Sequence, residues 1–202
     1  MKKIIIALFF TVSFSPAKTQ IIALGAGPTC MTGGDSWTGG FGGQLSLEPK
    51  IYGNEKGGAT VGIGVTQQGS NYKDDYFEGE TYKGKFKMNY LIFPLLYQLY
   101  FARGFYAELG LQPMVLLSAK DKYTIGNETT TDNIKRYLKS FNLAIPAGGG
   151  YRWKNGFGAG VRVQYGLLDI YKESGGDASR TILYAILLSY QIRSLNLSAK
   201  KK

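Results

Sequence analysis

Histidine is absent from the 202 residues, which removes the usual general base of a serine hydrolase and the commonest metal ligand. Cysteine occurs once, at Cys30, so no disulfide can form within the chain. No apolar run reaches the roughly 20 residues with which a helix spans a bilayer. Acidic residues number only 14 against 24 basic ones, a net charge of +10. Part of that excess sits at Lys2 and Lys3 and in the terminal run of three lysines. The rest is scattered rather than gathered into an arginine-rich stripe, so no nucleic-acid partner is expected. Nor is any metal or other cofactor.

What the chain has in quantity is glycine (28), tyrosine (15) and phenylalanine (11), a composition of sheet with tight turns. One domain is the simplest arrangement at this length. The opening MKKIIIALFFTVSFSPAKTQ carries two lysines, an apolar run from Ile4 to Phe14, then small and polar residues. That is the layout of a secretory signal, the alternative being a membrane anchor. The expected division is a signal peptide over 1–19, a β-domain over 20–194 and a short basic tail over 195–202.

Eight segments beyond the signal show strand alternation. In FYAELGLQPMVLLS one face is Phe105, Ala107, Leu109, Leu111, Pro113, Val115 and Leu117, and the other includes Glu108, Gln112 and Ser118. GQLSLEPKI, ATVGIGVTQQ, FGAGVRVQYGL and RTILYAILLSYQIR divide in the same way, and IIALGAGPT, MNYLIFPLLYQLYF and SFNLAIPAGGGYRW complete the set. These runs reach the 9 to 11 residues or so of a membrane-spanning strand, whereas globular strands are nearer 5 or 6. A soluble lipocalin would also alternate, but its charged face would lie outside, and the mixed face here holds too few charges to dissolve an exterior. The expectation is an all-β fold, a closed antiparallel eight-stranded transmembrane up-and-down barrel behind a cleavable signal, with lipid on the apolar face.

Glu48, Glu108 and Arg162 fall on the mixed face and form the candidate interior polar network; a buried carboxylate needs a cation to offset its desolvation. Long polar connections, SNYKDDYFEGETYKG and AKDKYTIGNETTTDNIKR, alternate with the short turns ARG and KNG. Phe101 and Phe105 flank the first short turn and Trp153 and Phe157 the second, placing four aromatics at one end as a candidate girdle. Pro94 cannot donate to a ladder and predicts an irregularity.

MNYLIFPLLYQLYF, FYAELGLQPMVLLSAK and VQYGLLDIY together resemble the small outer-membrane β-barrels of Bacteroidota described as porin-like or PorT-like, the last segment being similar to that family's Tyr-Gly-Leu-x-x-Ile strand. The resemblance implies an outer-membrane location and, for some relatives, a part in secretion or gliding machinery. The functions in view are a structural or interaction role with periplasmic or outer-membrane protein partners, a narrow gated pore for ions or small solutes, and, less favoured, a lipid-modifying enzyme. Eight strands leave room only for side chains, so no large solute channel is expected.

Overall fold

A computed structural model describes residues 19–32, 37–54, 56–74, 82–101, 104–125, 128–173 and 178–193. The expected tail 195–202 lies outside these residues, and so does the expected signal segment apart from Thr19. The strands are β1 (Thr19–Met31), β2 (Trp37–Thr38), β3 (Gly40–Gly53), β4 (Gly57–Val61), β5 (Ile63–Asp74), β6 (Tyr82–Ile92), β7 (Leu95–Tyr100), β8 (Phe105–Ile125), β9 (Glu128–Asn133), β10 (Phe141–Arg152), β11 (Phe157–Gly166) and β12 (Thr181–Arg193).

Every pairing is antiparallel. β3 lies between β1 and the pair β4/β5; β8 joins β6/β7 to β10; β11 and β12 follow, and β12 returns to β1. β4 with β5 and β6 with β7 are each one interrupted barrel strand, so the ring has eight strands and no open edge.

The interruption falls at Pro94. Phe93 and Pro94 leave the ladder, the Phe93 N–H donates to the Pro113 carbonyl (2.9 Å), and Gly62 donates to the Pro94 carbonyl (2.7 Å). Gly62, between β4 and β5, has the Pro94 ring against it: a Cβ there would lie 3.0 Å from Pro94 Cγ and 2.7 Å from the Leu47 carbonyl oxygen. The lost donor of one strand is thus matched by a break in its neighbour. The short turns close on Gly104 (φ 94°) and Gly156 (φ 95°), left-handed positions that favour glycine.

Two readings from sequence are corrected. The long polar connections are largely strand: β5 continues to Asp74, β6 begins at Tyr82, β8 runs to Ile125, and β9 folds back on β8. Outside the apolar band no face need be apolar, so the period-two signal disappears while the backbone ladder continues. VQYGLLDIY, taken as strand, ends its ladder at Gly166. There Asp169 accepts hydrogen bonds from the backbone of Tyr171 (3.1 Å) and Ser179 (3.2 Å) and turns the chain inward, as Asp does in turns.

The outward face is apolar from Phe105 to Leu117 on β8 and on every neighbour; Leu24, Leu109, Val161, Ile186 and Leu188 are each more than half exposed. A continuous belt of this kind suits lipid rather than water.

Candidate functional site in the barrel interior

Arg162 is the largest fully buried side chain among the described residues, 2% exposed. Its Nε donates to Glu108 Oε1 at 2.6 Å, and its terminal nitrogens donate to Glu48 Oε1 at 3.0 Å and Oε2 at 3.3 Å. Glu48 and Glu108 are buried at 1% and 4% exposure. Backbone register explains one half of this geometry. On β10, Gly148 pairs with Glu108 on one side and with Arg162 on the other. With no side chain between them, the guanidinium reaches the carboxylate across a single strand. Glu48 comes from β3 on the far wall, within reach because an eight-stranded lumen is about as wide as the side chains that fill it.

Two carboxylates face one guanidinium, so neutral donors help to hold the second negative charge. Ser46 Oγ donates to Glu48 (2.7 Å) and Gln98 Nε2 to Glu108 (3.0 Å). The chain of contacts continues to the short-turn mouth, where Tyr100 donates to Gln98 (2.8 Å) and Arg152 donates to Tyr100 (3.0 Å). The Arg152 guanidinium also lies over the Tyr106 ring, and the Lys50 ammonium over that of Tyr100. A second layer lies deeper: Gln112 donates to Gln164 (2.8 Å), which donates in turn to Gln44.

Toward the opposite end the filling changes. Met88, Tyr90, Ile92, Met114 and Leu116 point inward from β6 and β8, and Leu138 and Ile170, both 1% exposed, come down onto them from the connections after β9 and β11. The Lys139 N–H donates to the Ile170 carbonyl (2.8 Å) and Leu138 bridges to Tyr171, so the two connections form one cap. Sequence reasoning missed this cap. Leu138 has no period to assign it, standing in the polar stretch NIKRYLKS, and Ile170 sits in VQYGLLDIY, whose apolar residues read as one continuing strand.

Phe101, Phe105, Trp153 and Phe157 stand on the outer surface at the short-turn end, each about half exposed. Backbone hydrogen bonds between Phe101 and Phe105 and between Trp153 and Phe157 close the two turns (2.8 Å each). Tyr151 packs edge-on to both Phe105 and Trp153, and Phe157 packs on Tyr190.

A ring without edges, an apolar outside and a charged inside together invert the order of a water-soluble barrel. A family model described as outer membrane protein beta-barrel domain matches residues 6–172. The chain belongs to that family. This outer-membrane barrel is also similar in structure to Neisserial surface protein A (11% identity, 87% of this chain and 97% of that one, TM-score 0.48). It is similar to Ail, the attachment invasion locus protein of Yersinia pestis (14%, 87% and 99%, 0.48), and to the outer membrane enzyme PagL (14%, 86% and 99%, 0.38). No ligand or activity passes from them to this barrel. No curated protein matches the sequence. Lipid is therefore the medium around the belt, and the outer membrane is the barrel's location.

Proposed function

We propose that the protein is a closed, non-enzymatic barrel with a structural or interaction role, presenting its strand ribbons outside the cell and offering partners a rigid stave. The observation that carries this reading is that the lumen is filled at both ends, by the Arg162 network near the short turns and by Leu138 and Ile170 near the ribbons. Short turns on the periplasmic side and long excursions outside are the common arrangement of such barrels. The aromatics at Phe101, Phe105, Trp153 and Phe157 suit a girdle at the periplasmic interface. The lack of histidine in the sequence argues against a lipid-modifying activity. Within this reading, the resemblance to PorT-like barrels of Bacteroidota favours a place in secretion or gliding machinery, after export by a cleaved signal.

Planar-bilayer recording tests the closed lumen: the folded protein should add no steady conductance, and an ohmic step at every insertion would favour the gated pore instead. The observation on that side is that Gln44 Nε2 and Gln112 Oε1, deep in the polar half, have no protein hydrogen-bond partner, so water could reside there. Protease added to intact cells should cut within the long connections 70–84 and 119–136 before it reaches the short turns, and cutting confined to the short turns would invert the topology. Crosslinking in intact outer membranes identifies the partner.

A further inference from the structure

On the ribbon formed by β5, β6 and β8 the outer face changes chemistry in steps. Val65, Leu91 and Val115 make one cross-strand row. The next row is polar: Gln67 donates to Asn89 (3.0 Å) and Asn89 to Ser118 (2.9 Å). Beyond it Lys87 stands opposite Lys120, Lys85 opposite Lys122, and Lys73 opposite Lys83, all exposed. Leu117 is the extra residue of the irregularity where Asn89 pairs with Ser118 and Tyr90 with Leu116. It shifts the alternation of β8 by one, which turns Ser118, expected on the inner face, outward together with Lys120 and Lys122, and turns Asp121 inward.

Like charges placed directly opposite each other weaken a sheet, and the Lys87/Lys120 and Lys85/Lys122 pairs, stacked along one face, repeat that penalty. Among the described side chains of the ribbon, the acids are on the other face: Asp121 accepts from Tyr72 (2.8 Å), and Asp132 and Glu128 on β9 share its side by register. Each two-residue step along a tilted strand rises about 5 Å. If the amide row marks the edge of the hydrocarbon, the first two lysine rows stand about 5 and 10 Å beyond it, in the headgroup layer.

We propose that Lys85, Lys87, Lys120 and Lys122 bind the phosphate groups of lipid headgroups beside the ribbon, those of the phosphorylated glycolipid of the outer leaflet. The assignment to that leaflet rests on the orientation proposed above. The face is continuous with the lipid belt, its charge is complementary to phosphate, and flexible lysine stems let the ammonium groups settle at phosphate depth.

The test uses the full barrel folded in neutral detergent micelles, with diphosphoryl lipid A, dephosphorylated lipid A and heparin as probes. The native protein should bind diphosphoryl lipid A more tightly than the dephosphorylated form, and salt should weaken the binding. The combined Lys85→Gln, Lys87→Gln, Lys120→Gln and Lys122→Gln variant should lose about tenfold or more in affinity, and Lys154→Gln at the short-turn end should lose none. In plain detergent the fourfold variant should be at least as stable as the native barrel, because the opposed charges are gone. Equal binding of the two lipid A forms by the native protein would overturn the proposal even if the variant failed to fold. So would tighter binding of heparin than of lipid A, which would assign the face to a soluble polyanion. Micelles have no sides, so either failure is distinct from an inverted topology, which proteolysis of intact cells reports.

Discussion

Toward the short turns the lumen is filled by the Arg162 guanidinium, two carboxylates and a string of amides and hydroxyls, with Arg152 and Lys50 at the mouth; toward the ribbons methionine, leucine and isoleucine on β6, β8 and the cap predominate, beside buried polar groups such as Gln68 and Asn142. Both fillings are enclosed by the same eight strands, so the backbone does not dictate the difference. The polar half is built wholly from strand residues, whose positions the ladder fixes, and a hydrogen-bonded charge cluster needs that fixity because its cost rises steeply when one partner is misplaced. The apolar half is completed by two connections outside the ladder, and dispersion contacts tolerate the looser placement. The two halves should therefore fail in different ways: the first through uncompensated charge, the second through a cavity.

The largest effect should come from Arg162→Met, which leaves Glu48 and Glu108 facing each other without a cation. A loss of about 3 to 5 kcal/mol is expected, read as urea unfolding from lipid vesicles. Adding Glu108→Gln should recover part of it, and strict additivity of the two changes would deny that the residues act as a unit. In the apolar half, Ile170→Ala should cost about 2 kcal/mol, the lower end for such truncations, because a connection can settle into the space. Its signature is a gain in access of small apolar probes at the ribbon end with the polar half undisturbed. Gly148→Ala should cost about 1 to 2 kcal/mol: a Cβ there would fall 2.3 Å from the Val161 carbonyl oxygen and 3.0 Å from Arg162 Cα, forcing β11 away. Combined with Arg162→Met it should show an interaction term, and independence of the two would mean that the glycine serves only backbone packing.

Much of this comparison was legible beforehand, and the limits have physical causes. Alternation located the eight barrel strands and sorted Leu109 from Glu108 or Val163 from Gln164, because lipid and lumen impose opposite chemistry on adjacent residues. It also put Glu48, Glu108 and Arg162 on one face. Because an eight-stranded lumen is narrow enough for side chains to meet across it, that face also implied the pairing of Arg162 with Glu108 and Glu48; what stayed hidden is Gly148, the residue that opens the path between Glu108 and Arg162, which carries no side chain to signal its role. The ribbons were mistaken for loops because their pattern loses its apolar phase outside the belt. Leu138 was invisible because a lone apolar residue in a polar stretch has no period, and Ile170 was misplaced because LLDIY was read as a continuation of its strand.

The smallest effect sharpens the boundary between the apolar half and the ribbons. Asp121 lies on the inner face of the ribbon above the lipid belt, half-buried, where it accepts from the Tyr72 hydroxyl at 2.8 and 2.9 Å. Burial pushes its carboxyl above the usual range; the bond from Tyr72 works in the opposite direction, and the charge of Asp132 adds to the rise. A carboxyl whose folded pKa is raised binds protons more tightly in the native state, so its contribution to stability is fully present at low pH and is lost as pH rises through the folded value. Asp121→Asn should accordingly match the native barrel in acid and exceed it near neutrality. The gain should stay under about 1 kcal/mol, because the group is open enough to water for solvent to screen it. Unfolding midpoints measured from acid to neutral pH check the sign. A variant less stable than the native barrel at neutrality would mean that the bond from Tyr72 outweighs desolvation, and that the top of the apolar half is held by a charged contact like those at the other end.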